Sequence, residues 1–191
     1  MKKLSGGIIA LIVVVVLIVI GVGWGVGGYN SLVSLRENVT TQSANIDTQL
    51  QRRTDLIPNL VNTVKGYAAH ETEIMTAVSD ARARLAGAEG MAEKAEADQA
   101  LNSALSRLLM VVENYPDLKA DAQYTALMDE LAGTENRIAV ARSDYNAVVR
   151  DYNKKIKTFP SVILANLFGF DEAEYFEAAE GSETPPTVDF S

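Results

Sequence analysis

The residue types that do most chemistry in proteins are scarce in this chain. There is one histidine and no cysteine. His70-Glu71 opens like a zinc metalloprotease helix, which needs a second histidine four residues on so that two ligands share one face. Position 74 is Ile74, so the motif is incomplete. The expected reading is a helix-surface histidine beside a carboxylate. Carboxylate pairs such as Glu130 with Glu135, or Asp144 with Asp151, read as solvated helix faces. A di-iron bundle site would need inward Glu-x-x-His pairs, which one histidine cannot supply. There is no phosphate-binding glycine loop and no nucleophile elbow. Without cysteine there is no disulfide, thiolate metal site or cysteine nucleophile, and the redox compartment stays open. The expectation is therefore no catalytic, cofactor-binding or metal residue, no cofactor, and no enzymatic activity. A formal net charge of −8 makes nucleic acid an unsuitable partner, because phosphates would be repelled.

The remaining candidates are residues that position helices. Gly21/Gly25 and Gly23/Gly27 have small-xxx-small spacing, which lets two helix backbones approach and predicts helix–helix association. Tyr145-Asn146 and Tyr152-Asn153 lie one heptad apart, and Tyr29-Asn30 repeats the dipeptide. An amphipathic tyrosine sits in a helix seam with its hydroxyl on a polar partner. Tyr29, Tyr145 and Tyr152 are thus expected to set bundle register through hydrogen bonds. Arg52-Arg53-Thr54-Asp55 is either a partner-docking corner or, as favoured here, a place where Arg52 or Arg53 bonds the last carbonyls of the first helix.

What must position these groups begins with the N-terminal segment. No charge interrupts Leu4 to Leu35, and Ile8 to Val26 is almost wholly apolar. About 20 such residues in helix cross a hydrocarbon core of roughly 30 Å, and in lipid a lone span must be helical to pair its own amides. The near-zero mean hydropathy blends this segment with a polar remainder. A cleaved signal peptide is the alternative, but its apolar core would be shorter. Trp24 and Tyr29 sit where an aromatic belt belongs. Lys2 and Lys3 precede the span against Arg36 after it, which predicts a cytoplasmic N-terminus with the domain outside.

Beyond the span, apolar residues recur at helical spacing and no stretch alternates with period two. The first helix is predicted over Tyr29–Thr54, with Leu32, Val39, Ile46 and Leu50 inward. It should end near Asp55–Pro58, where Asp55 caps and Pro58 opens the next helix. The second is predicted over Leu56–Ala86, with Glu71 breaking its stripe at the seam's edge. The third, Met91–Glu113, buries Leu101, Leu105, Leu108 and Val112, and stops before Pro116. The fourth, Leu118–Thr158, carries Leu127, Leu131, Thr134, Ile138, Ala141, Tyr145, Val148, Tyr152 and Ile156. The predicted fold is all-α: an N-terminal transmembrane helix followed by an antiparallel up-down four-helix bundle. The predicted segments are a basic N-terminus at 1–6, the transmembrane helix at 7–28, the bundle at 29–158, an apolar membrane-proximal segment at 159–176 and a flexible acidic tail at 177–191. An even number of helices returns the chain to the bilayer. Lys154, Lys155, Lys157, Phe159 and Phe168 are therefore expected to contact the membrane surface, or the apolar segment to pack under the bundle.

The stretches RRTDLIPNLVNTVKGYAAHE (Arg52 to Glu71), YPDLKA (Tyr115 to Ala120), TENRIAVAR (Thr134 to Arg142) and YNAVVRDYN (Tyr145 to Asn153), with Phe159-Pro160 and Gly169-Phe170, resemble the LemA family. The resemblance covers roughly Lys2 to Phe176. It implies a prokaryotic membrane-anchored four-helix bundle with no established enzymatic role. A magnetosome-associated branch of that family is also similar, which implies membrane-associated scaffolding. The expected function is a single-pass scaffold or protein-interaction module at the prokaryotic (inner) membrane. The alternative is an adaptor for a membrane protease or envelope stress system. Expected partners are the lipid bilayer, further copies of the chain as a homo-oligomer, and an unidentified membrane protein.

Overall fold

A computed structural model of the protein describes residues 6–177. Lys2, Lys3 and nearly all of the acidic tail lie outside the described residues. Those residues are all-helical, without a strand: α1 (Gly6–Tyr67), α2 (Thr72–Gly87), α3 (Gly90–Val112), α4 (Pro116–Lys119), α5 (Ala122–Lys157) and α6 (Ser161–Phe168). They divide into two compact units, 6–40 with 148–173 and 41–147 with 174–177.

In the first unit, α1 begins with the apolar stretch. It is long and apolar enough to cross a membrane, and none of its best 18-residue window is buried. Beyond it, Leu32 of α1 packs with Tyr152 and Ile156 of α5, Leu164 and Ala165 of α6, and Phe170. The sequence of α6 places Ser161, Leu164 and Ala165 on one face, and these three are its buried residues. Gly169 ends it in the left-handed region (φ 67°), so that the Phe170 amide donates back to the Ala165 carbonyl at 3.0 Å. A residue with a Cβ would be strained there.

In the second unit, the inward stripes fall where the spacing predicts. Ile46, Leu50, Ile57, Leu60 and Val64 are buried on α1, Val78 and Leu85 on α2, Leu101, Leu105, Leu108 and Val112 on α3, and Leu131, Ile138 and Tyr145 on α5. Within α5 as a whole, Val149 rather than Val148 is the buried valine.

Two expected boundaries move. The chain does not break at Asp55–Pro58; α1 runs through Pro58, which is exposed, to Tyr67. A proline inside a helix deprives the carbonyl four residues back of its donor. That carbonyl belongs to Thr54, and Arg82 Nε of α2 donates to it at 3.1 Å. A tertiary hydrogen bond thus replaces the missing helical one. The break falls instead at 68–71. Ala68 is buried there, the Tyr67 hydroxyl donates to Asp121 at 2.8 Å, and Glu71 becomes the N-cap position of α2. Glu71 interrupts the apolar stripe because the helix itself is interrupted; its carboxylate accepts from Tyr115 Oη at 3.2 Å. The second correction is at Pro116, which opens a separate four-residue turn, α4. The Asp121 carboxylate then accepts the Tyr124 amide at 2.9 Å, an N-cap bond for α5 that lowers its pKa.

Candidate interaction site

The heptad-spaced Tyr-Asn dipeptides of α5 hold the segment that follows α6. In the first unit, Tyr152 Oη donates to the Asp171 carbonyl at 2.8 Å. Asn153 Nδ2 donates to the Ala173 carbonyl at 2.8 Å, and its Oδ1 accepts the Ala173 amide at 2.9 Å. The second unit uses the same chemistry. Tyr145 Oη donates to the Glu174 carbonyl at 2.7 Å. Asn146 donates to the Phe176 carbonyl at 3.0 Å and accepts the Phe176 amide at 2.9 Å. A primary amide carries one donor edge and one acceptor edge, so it matches one residue of extended backbone on both. Burial raises both the Tyr145 and Tyr152 phenols above their ordinary value, which keeps each a neutral donor. Phe176 is fully buried, with the Arg142 guanidinium 4.7 Å over its ring. Tyr145 and Tyr152 were expected to set register between helices; their hydroxyls instead bind the backbone of residues 171–174.

Tyr29 does neither. Its ring meets Phe168 edge-on at 4.9 Å and Phe170 at 5.7 Å, and Arg36 lies 4.9 Å over Phe170. Beside this cluster an open apolar groove of about 360 Å³ runs between Val22, Gly25 and Val26 of α1 and Leu164, Leu167 and Phe168 of α6. Gly28 permits the approach: a Cβ there would come within 2.5 Å of Leu164 Cδ1. Of the glycines singled out by spacing, Gly21, Gly23, Gly25 and Gly27 have nothing within 4 Å of a Cβ position. Lys154 is exposed, Lys155 half-buried, and Lys157 pairs with Glu172 at 2.6 Å. Phe159 is 77% exposed.

Arg53 does not cap a helix end. It is buried in the second unit, where its guanidinium donates to Asp98 of α3 at 2.8 Å and also to Asn102 of α3 and Glu135 of α5. Burial pushes the Asp98 carboxyl above the ordinary range, against the opposing pull of Arg53. Arg52 pairs separately with Glu130. A signal for this network exists in the sequence. Arg53 falls on the four-three stripe Ile46, Leu50, Ile57, Leu60, and Asp98 stands three residues before Leu101 on the stripe of α3. A charge on an apolar stripe calls for a buried partner. His70 is exposed in the turn after α1, and among the described residues no three His, Cys, Asp or Glu side chains cluster to hold a metal ion.

Among the described residues, these features define an all-helical protein with one span-length apolar helix and a segment, 171–176, clasped to its longest polar helix. The LemA family profile matches residues 42–190, so the chain belongs to the LemA family. Magnetosome protein MamQ 2 of Paramagnetospirillum magneticum is 33% identical, over 82% of this chain and 67% of that protein. Magnetosome protein MamQ of Magnetospirillum gryphiswaldense is 32% identical with the same coverage. Protein LemA of Metamycoplasma hominis is 25% identical over 81% of this chain and 71% of that protein.

Proposed function

We propose that this protein is a single-pass, non-enzymatic scaffold of the prokaryotic cell membrane, working through helical surfaces. The observation that carries this reading is the exposed apolar start of α1, continuous in one helix with residues that enter a buried core. Exposed apolar surface on that scale is stable only in lipid or against another protein. In this reading, 41–67 of α1 joins α2, α3 and α5 in an antiparallel up-down four-helix bundle, and copies pack together in the bilayer through Gly23/Gly27, on the side of α1 away from Gly25. The N-terminus is cytoplasmic and the bundle lies outside. The MamQ relatives, named as magnetosome proteins, support a role in building or organising a membrane-bounded structure.

Carbonate-washed membranes should retain the full-length protein, and short-range crosslinking in them should give a ladder of homo-oligomers. Release by carbonate would remove the anchor. Crosslinks to one membrane protease and none between copies would replace the scaffold with an adaptor.

A further inference from the structure

The apolar run Ile8–Val26, at 1.5 Å per residue, is about 28 Å long, close to the roughly 30 Å of a hydrocarbon core. In a membrane-anchored protein, Val22 to Tyr29 therefore lies where acyl chains give way to headgroups. α6 is packed against α1 at that level, fixed by the Leu164 contact at Gly28 and the Tyr29–Phe168 ring pair. One face of α6 is used for this packing. The other presents Ile163 at 53% and Leu167 at 71% exposure, Phe168 keeps 52% of its surface exposed beside Tyr29, and no residue from Thr158 to Phe170 carries a charge. In water this second apolar face would be unfavourable, because apolar surface left wet gains nothing from burial. It continues the surface of Val22 and Val26, which the span itself presents to lipid. The groove between them is open to its surroundings and lined almost wholly by apolar atoms. Lys154 and Lys155, which make no ion pair among the described residues, precede α6 and lie on the side of the span where headgroups begin.

We infer that α6 is a membrane foot: Ile163, Leu167 and Phe168 insert at the headgroup boundary, and the groove between α6 and Val22–Val26 is filled by a phospholipid acyl chain. The inference rests on the anchor reading, and its test separates the two. Because the chain has no cysteine, Leu167→Cys, Leu17→Cys and Val140→Cys each give a single bimane label on an exposed side chain. The full-length proteins are reconstituted in phosphatidylcholine–phosphatidylglycerol vesicles with nitroxides at chosen acyl depths.

A label at Leu167 should be quenched most by nitroxides near the headgroup, at least about twofold beyond Val140. A label at Leu17 should respond to deep ones. Quenching at Leu17 with Leu167 matching Val140 overturns the foot and leaves the anchor standing. Absence of quenching at both overturns the anchor, and the foot with it. A pyrene at Leu167 forming excimers that persist on dilution into excess lipid assigns the face to a second copy and overturns lipid as its occupant. Leu167→Gln, which leaves the buried face of α6 intact, should weaken acyl-chain contact without unfolding the helix.

Discussion

Replacing Asn153 by alanine tests the clasp where its geometry is simplest. Asn153 is buried, and its amide makes two hydrogen bonds to one residue, Ala173. Each bond contributes about 1 kcal/mol net, so the truncation removes about 2 kcal/mol. Ala173 is only half-buried, so water can reach the freed amide and carbonyl once the segment lifts, and the loss should be local. At RT of about 0.59 kcal/mol, 2 kcal/mol raises the open population of the segment about 30-fold. Hydrogen exchange followed by mass spectrometry on the full chain reads this directly. The Ala173 amide should exchange about 30-fold faster, while amides of α5 around residue 150 keep their protection. Tyr152→Phe removes only the bond to the Asp171 carbonyl and should accelerate exchange about fivefold. Unchanged exchange at Ala173, or a loss spread evenly along α5, would refute the claim that the asparagine amide holds this segment.

Other substitutions probe the core and the helix junctions. Arg53→Met should destabilise the chain by about 3–5 kcal/mol, because Asp98 is left buried without its hydrogen-bonded counter-charge. Asp98 binds its proton more tightly folded than unfolded. Its contribution therefore favours the fold below the ordinary carboxylate pKa and is lost as pH rises through the raised folded value. Removing Arg53 strengthens that trend, so the melting deficit of Arg53→Met should narrow on acidification; a deficit constant across pH in circular dichroism melts would contradict it. Pro58→Ala restores an amide toward the Thr54 carbonyl at an exposed site. It should raise stability by about 1–2 kcal/mol in denaturant titrations, the helix gain of about 3 being offset by a freer unfolded chain and by competition with Arg82, which already donates to that carbonyl, at about 1 each. Gly28→Ala sets a clash with Leu164 Cδ1, about 1–3 kcal/mol, against about 1 kcal/mol of helix propensity, for a net cost of about 1 kcal/mol. Adding Leu164→Ala should then cost less than the two single losses combined; strict additivity would mean that the contact is absent.

Much of this architecture is legible from local pattern. An uncharged run of apolar residues has one stable form in lipid, and four-three spacing marks which face of each helix is buried. Leu32, Ile46, Leu101, Ile138 and Tyr152 were identifiable on that basis. The stop at Pro116 follows from proline sterics alone. Other features depend on contacts distant in sequence. Pro58 reads as a helix start until Arg82, 24 positions on from Pro58 in the numbering, is seen to donate to the Thr54 carbonyl. Spacing puts Arg53 and Asp98 on apolar stripes, but only folding brings them within 2.8 Å. The repeated Tyr-Asn pairs announce a regular polar seam, yet nothing local to α5 says that its partner is the backbone of residues 171–176. Gly28 looks like one glycine among several until Leu164 arrives against it. Local steric and solvation preferences act within a few residues and so can be read along the chain. Which carbonyl, carboxylate or methyl group meets a given side chain is decided by how the helices pack.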